Sequence, residues 1–521
     1  MGRRIGLGDG AWEMQVEAQW LEQFPRLQER LIGVDSEAIA WLTAAKRVEL
    51  IQLTETLQQG GCDRVPCVVV AEGEPEAFLA GILAALRVPC AVFLGNPGWG
   101  TGEWQQVYDK VQPDRIWGLP KTGWGQNTGV GEGGVSAPGV GIYVPTGGSS
   151  GQLRFAHHTW DTLQASIAGT WDYFDRQPIH SLCVLPLYHV SGLLQFLRSG
   201  LTQGQFLYWS WKRLEQGEFP DRDLTSFFLS LVPTQLQRLV ELPLDPHSDP
   251  HSNHFFQRLQ TLRAILLGGA PAWATLLDRA RGLNLPIAPT YGMTETASQV
   301  ATLKPQDFLA GRAGVGKPLP HAQIRVVDEQ GKSLPAGQIG QLLIQARSQM
   351  VGYFPPQTST WEKATFQSTS LQSDDLGYFD GDGFLHLLGR SSDKIISGGE
   401  NIHPVEVEAA IRTSPWVADV AVVGVPDPKW GERVVALYVP ASIAAQGTVI
   451  AAKDNAANNK TINDPAMLLV QQQAQILQQV ATQLARYKLP KQWIALESLP
   501  RNAQGKLNRQ QLRQALIEQS L

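Results

Sequence analysis

Cysteine is scarce in this chain: Cys62, Cys67, Cys90 and Cys183 are the only four among 521 residues. They form no C-x-x-C pair and have no histidine cluster beside them, which excludes a zinc site and a disulfide framework and fits a reducing, cytoplasmic setting. Concentrated positive charge is missing as well. The formal net charge is −5 and neither half carries a basic stripe, so a nucleic acid is excluded as the main partner while local phosphate binding stays open. Long apolar runs are absent too. The most membrane-like stretch, Ala77 to Gly95, is broken by Arg87-Val88-Pro89 and reads as helix, turn and strand, so no stable membrane insertion is expected. Met1 to Gly10 has two arginines but no apolar segment behind them, which is not a secretory signal.

What is present is ordinary globular composition, 43% hydrophobic and 17% charged, in a chain too long for one core. Met1 to about Arg64 is largely helical in pattern, interrupted at Pro25. Pro66 to Ala71, Glu74 to Leu86 and Cys90 to Leu94 read as a βαβ unit, and Leu182–Leu185, Phe228–Val232, Ala264–Leu267 and Ile287–Pro289 as further strands. Ile324 to Val327 and Ile339 to Gln345 make an antiparallel hairpin. The expected class is α/β: a large N-terminal domain over residues 1–390, with parallel and mixed sheets, helices and an antiparallel subdomain, then a small mobile α/β domain over 391–521. In the small domain Val417–Val425, Val434–Val439 and Trp493–Leu496 are expected strands separated by helical segments. Lys121 to Gly141 and Ala444 to Pro465 read as loose surface stretches.

Several short segments carry chemistry. Around Asp380-Gly381-Asp382-Gly383 the sequence predicts a tight hairpin whose glycines supply positive φ. Asp375 enters that hairpin and Arg390 leaves it, so an acceptor and a forked donor face one spot, suited to a pair of sugar hydroxyls or simply to each other. Ser391-Ser392-Asp393-Lys394 lacks large apolar side chains and is the expected hinge. Gly398 and Gly399 follow, where a backbone can come close to a ligand or to another domain. Upstream, Thr146-Gly147-Gly148-Ser149-Ser150-Gly151 with Arg154 offers converging N–H groups, hydroxyls and a cation for a polyphosphate, without the Gly-Lys-Ser/Thr ending of a Walker A loop. His189 sits at a strand end, Gly269 lies in a small-residue loop, and Tyr291, Thr294 and Glu295 put an aromatic beside a hydroxyl and a carboxylate. One carboxylate is enough for a Mg²⁺ that is also held by phosphate. Lys506 stands alone on a turn before the last helix.

Taken in this order, the segments resemble the adenylate-forming superfamily of acyl- and aryl-CoA synthetases, adenylation domains and luciferases. Leu185 to Leu193, Gly389 to Asp393 and Ser397 to Ile402 look like its 2-succinylbenzoate–CoA ligase subfamily, which serves menaquinone and phylloquinone synthesis. The alternatives are a ligase for another aromatic or medium-chain acid and an adenylation module serving a carrier protein. The resemblance implies ATP, Mg²⁺ and CoA as partners of a carboxylic acid, which first attacks the α-phosphorus of ATP and is then passed to a thiol. It implies that Thr146 to Gly151 and Arg154 hold the β- and γ-phosphates, Tyr291 and Gly269 the adenine, and Asp375 and Arg390 the ribose. Thr294 would touch phosphate, Glu295 the Mg²⁺, and His189 would lie between the acyl pocket and the phosphates. The small domain would swing about Ser392, exchanging Lys506 for the Gly398-Gly399 segment that meets CoA. Asp374 stands where the family has glycine, so two adjacent carboxylates compete for the sugar.

Lys506→Ala should slow adenylation by on the order of 10²–10³, the cost of one preorganised charge partner, while thioester formation from supplied acyl-adenylate changes little. Rates of the two half-reactions measured separately check this; equal losses would remove Lys506 from its assigned step.

Overall fold

The computed structural model describes residues 31–32, 34, 36–62, 64–118, 138–147, 152–242, 250–355, 370–441, 465–501 and 507–518. Sequence expectations for residues 1–30, 119–137 and 442–464 lie outside this set, as do Gly148, Ser149, Ser150, Gly151 and Lys506.

Continuous apolar runs such as Cys67–Val70 and Ala264–Leu267 are buried along their whole length, as strands covered on both faces must be. They belong to two sheets. The first has six strands in the order Gly352–Phe354, Leu153–His158, Gly141–Gly147, Ala91–Leu94, Cys67–Val70, Arg115–Trp117. The expected βαβ unit is there, with Cys67–Val70 parallel to Ala91–Leu94. The second sheet has eight strands in the order Leu31–Ile32, Phe206–Tyr208, His180–Cys183, Phe227–Leu231, Ala264–Leu267, Ile287–Met293, Ser298–Thr302, Lys317–Pro318. It is parallel as far as Ile287–Met293 and antiparallel beyond.

Helices Pro75–Ala85, Trp160–Tyr173 and Val190–Leu201 fill the space between the sheets, and their Leu79, Ile167 and Leu194 share one core with Val70, Val144 and Phe206. Helix Pro75–Ala85 is accordingly apolar on nearly every side and almost wholly buried. On the outer face of the first sheet Phe93 stacks on Tyr143 at 4.2 Å and meets Phe155 and Phe354 edge-on at 5.0 and 5.2 Å. Residues Ala322–Val327, Gly340–Ala346, Leu371–Phe379 and Leu385–Arg390 form a separate antiparallel sheet.

The last sheet holds Glu400–Ile402, Ile395–Ser397, Gly431–Pro440 and Val417–Asp427, with Gln492–Ala495 alongside Gly431–Pro440. Period-two alternation sets its layers. Val420, Val422 and Ala436 face helices Pro404–Ile411 and Pro465–Ala481, whereas Ala421, Val423 and Leu437 face helix Arg509–Glu518. One expectation is corrected here. No helix separates Val417–Asp427 from Gly431–Pro440; they form an antiparallel hairpin closed at Asp427, whose carboxylate accepts the N–H groups of Lys429 and Trp430. Local turn chemistry overrode the helical reading.

Among the described residues no helix is long and apolar enough to cross a membrane. Phe93→Ala, which empties the centre of the aromatic cluster, should cost about 3–5 kcal/mol, read as a lowered thermal midpoint.

Candidate active site

The strand Ile287–Met293 is the axis of the site. At its end Gly292 sits so close to the returning chain that a Cβ would lie 2.0 Å from the Ser298 carbonyl oxygen, which is why glycine stands at this bulge. Thr294, Glu295 and Thr296 then form a single 3-10 turn. Buried polar groups pin the turn: His158 Nε2 lies 2.7 Å from the Thr294 carbonyl, and Ser348 Oγ donates to the Thr296 carbonyl at 2.8 Å. Burial holds His158 down to about pKa 4 despite that carbonyl.

The predicted groups gather around this axis in three sets. In the first, the Tyr291 hydroxyl donates to Asp375 Oδ2 at 2.6 Å, and Ser373 Oγ donates to the same oxygen at 3.1 Å. Asp375 is the direct cross-strand partner of Arg390, whose Nε is 3.5 Å from Oδ1. The alternation of the strand sends the two aspartates to different partners. Asp374 instead accepts the N–H of Ser392 at 3.1 Å and also its hydroxyl. Asp375 therefore faces the Tyr291 side and Asp374 anchors the expected hinge. In the turn beyond, only Gly383 has the positive φ expected of both glycines; Asp380 does the remaining work by accepting the N–H groups of Asp382 and Phe384.

In the second set, Thr146 lies directly opposite Arg154 across a strand pair that ends with Gly147 against Leu153. The Arg154 guanidinium stands 4.6 Å over the ring of Tyr353, and the Tyr353 hydroxyl donates to Glu295 Oε1 at 2.7 Å. Burial first, then the neighbouring Glu295, pushes the Tyr353 phenol up, so it stays a donor. Sequence reasoning missed Tyr353, because nothing in Gly352–Phe354 marks it until the edge strand is placed beside Leu153–His158.

In the third, His189 precedes helix Val190–Leu201 and lines a cavity of about 270 Å³ together with Gly269, Thr294 and Met293. Arg198, on that helix, also lines it and is 3% exposed. Its Nη1 donates to Gln299 Oε1 at 3.2 Å, while Nε and Nη2 are buried with no hydrogen-bond partner among the described residues. Burial pulls this guanidinium down to about 10. A signal for Arg198 was present in the sequence, a lone cation in an apolar helix with no acidic residue between Asp175 and Glu215.

The Gly398-Gly399 segment belongs to the last sheet, where Gly398 lies against Trp430 of the same unit. The described residues flanking Lys506 are firmly held. Arg501 pairs with Leu507 and donates to Asp419, and Arg509 donates to both oxygens of Glu408 at 2.7 and 2.8 Å.

The AMP-binding enzyme family matches residues 141–354, and the AMP-binding enzyme C-terminal domain matches residues 406–506. A 2-succinylbenzoate–CoA ligase of Listeria monocytogenes is 32% identical over 377 residues, covering 71% of this chain and 68% of that one. The chain belongs to the AMP-binding, adenylate-forming enzymes. A second relative of this enzyme, the 2-succinylbenzoate–CoA ligase of Bacillus cereus strain Q1, is 34% identical over 378 residues, covering 72% and 70%. In fold it is similar to o-succinylbenzoate CoA synthetase from Bacillus subtilis in complex with the acyl-adenylate intermediate OSB-AMP. That match has a TM-score of 0.72 at 24% identity and covers 95% and 97% of the two chains. ATP-bound MatB from Rhodopseudomonas palustris gives a TM-score of 0.71 at 24% identity, covering 97% and 100%.

Two buried histidines give this enzyme an acid limit. His321, held to about 4 by burial and then by the charges of Arg198 and Arg347, joins His158. Both bind protons more tightly when unfolded, so stability is lost as pH falls from 6.5 toward 4, by roughly 2 kcal/mol each at pH 5. His158→Gln should shrink the difference between urea midpoints at pH 7 and pH 5.

Proposed function

We propose that this enzyme converts 2-succinylbenzoate to its CoA thioester through an acyl-adenylate, as a step of menaquinone or phylloquinone synthesis in the cytoplasm. The observation that carries the choice of acid is Arg198. A buried guanidinium with two unsatisfied N–H positions is costly unless a ligand completes it, and a carboxylate is the group whose geometry matches a guanidinium fork. The reacting carboxylate must lie near the α-phosphate, so Arg198 is left for a second one, which 2-succinylbenzoate has.

The remaining residues fit the two half-reactions. Asp375 and Arg390 offer an acceptor and a donor to the ribose, with Tyr291 and Gly269 beside the adenine. Thr146, Gly147 and Arg154, with Gly148 to Gly151, supply donors to the β- and γ-phosphates. Glu295, a hard oxygen ligand that follows Thr294, would hold a Mg²⁺ shared with the nucleotide, which would supply charge neutralisation at the phosphates. His189 separates the acyl cavity from the phosphates. Lys506 offsets charge as the acid oxygen bonds to the α-phosphorus and pyrophosphate leaves. The small domain, beginning after Arg390, then turns about Ser392, Gly398 and Gly399 border the CoA thiol, and sulfur replaces AMP on the acyl carbon. No nucleic acid takes part.

The test is an ATP-, Mg²⁺- and CoA-dependent comparison of 2-succinylbenzoate with 4-oxo-4-phenylbutanoate, which lacks the ring carboxylate. The dicarboxylate should be preferred, and Arg198→Leu should lower its kcat/KM by about 100-fold, the scale of a lost buried charge pair, with little change for the monocarboxylate. A native preference for the monocarboxylate would sink the assignment.

A further inference from the structure

Trp273 and Arg412 lie on different units, and neither has a part in the chemistry above. Trp273 ends the loop Gly268-Gly269-Ala270-Pro271-Ala272 and precedes helix Ala274–Gly282, half-buried against the core of the second sheet. Arg412 follows helix Pro404–Ile411 in the small unit. Its guanidinium carbon stands 4.7 Å from the centre of the Trp273 ring.

The guanidinium is fixed before it meets the indole. Nη1 donates to Asp419 Oδ1 at 2.7 Å and Nη2 to the Val420 carbonyl at 2.8 Å. Two of its N–H groups are thus engaged inside the small unit while the cation stands over the ring, a cation–π contact. The other oxygen of Asp419 accepts from Arg501 Nη2 at 2.6 Å, and Arg501 pairs with Leu507, the residue after Lys506. One carboxylate therefore joins the residue that touches the large unit to the described residues flanking Lys506. In the Gly398-Gly399 segment a Cβ on Gly398 would meet Trp430 of its own unit, and one on Gly399 nothing within 4 Å among the described residues.

We propose that the Arg412–Trp273 stack is a conformer-selecting latch, holding the small unit in the arrangement that serves adenylation and releasing it for thioester formation. The inference rests on the two-step reading above. Stacking of this kind is lost beyond about 6 Å, so a rotation that carried Gly398 to the cleft would break it. The latch then favours one arrangement over the other by about 2- to 30-fold. Arg412 and Trp273 are positioning residues, acting through Asp419 and Arg501 on the small unit that carries Lys506.

The test uses Trp273→Ala, Trp273→Phe, Arg412→Gln and the double variant Trp273→Ala/Arg412→Gln in the full chain. Acid-dependent ATP–pyrophosphate exchange should fall by about 2- to 30-fold in each alanine or glutamine variant. Thioester formation from supplied acyl-adenylate and CoA should stay unchanged or quicken. Trp273→Phe should keep most of the exchange rate, and the double variant should be no worse than either single one, because the two residues share one contact. Spin labels placed through Arg279→Cys and Gln514→Cys, with Cys62→Ser, should show a broadened inter-unit distance distribution when Trp273 is alanine. Equal losses in both half-reactions, additive losses, or an unaltered distance distribution would overturn the latch. Because the distance measurement needs no substrate, it judges the latch even if 2-succinylbenzoate is not the acid.

Discussion

The hydrogen bond from Tyr291 to Asp375 joins the eight-stranded sheet to the antiparallel sheet, and the layout of the site follows from it. Burial, then the adjacent carboxylate, raises the Tyr291 phenol far above its ordinary range, so it remains a donor wherever the protein is folded. Asp375 in turn sits opposite Arg390, and Ser392 comes two residues later. The register of that hairpin therefore decides two things together. A slip of one residue would exchange the faces of Asp374 and Asp375, turning Asp375 toward Ser392 and Asp374 toward Tyr291.

Charge is distributed in the same economical way. The Arg198 side chain has the neutral Gln299 as its hydrogen-bond partner among the described residues, whereas carboxylates of the last sheet's unit are paired with arginines. Burial alone would raise Asp419, yet Arg412 and Arg501 hold it below the usual carboxylate range. Glu408, 6% exposed, accepts from Arg509 and from the Val422 N–H, and Arg509 also reaches Asp393 beside the hinge. Arg501 and Arg509, which flank Lys506 in sequence, are thus anchored on the half-buried Asp419 and the buried Glu408.

Much of the site was legible because its residues announce themselves locally. Asp375 and Arg390 bracket a hairpin whose turn residues fix its length, and Thr294 and Glu295 follow directly on a strand. Tyr353, Arg198 and Arg412 had no such local frame. Tyr353 acquires its place only when an edge strand is laid antiparallel to Leu153–His158, and Arg412 only when the two units meet at Trp273. The helical reading between Val417 and Val439 failed for the converse reason: a short turn at Asp427 closed a hairpin where a longer connection was expected.

The sequence by itself determined the α/β class, the order of the strands along the chain, the glycine-rich and acidic segments and the family, since these depend on residue type and spacing over a few turns of chain. Only the tertiary structure decided which aspartate meets Tyr291, that the buried Arg198 borders the cavity with a neutral partner among the described residues, and that an indole meets a guanidinium across two units. Each of those is a contact between residues far apart in the chain, set by strand register and layer packing, which no local pattern encodes.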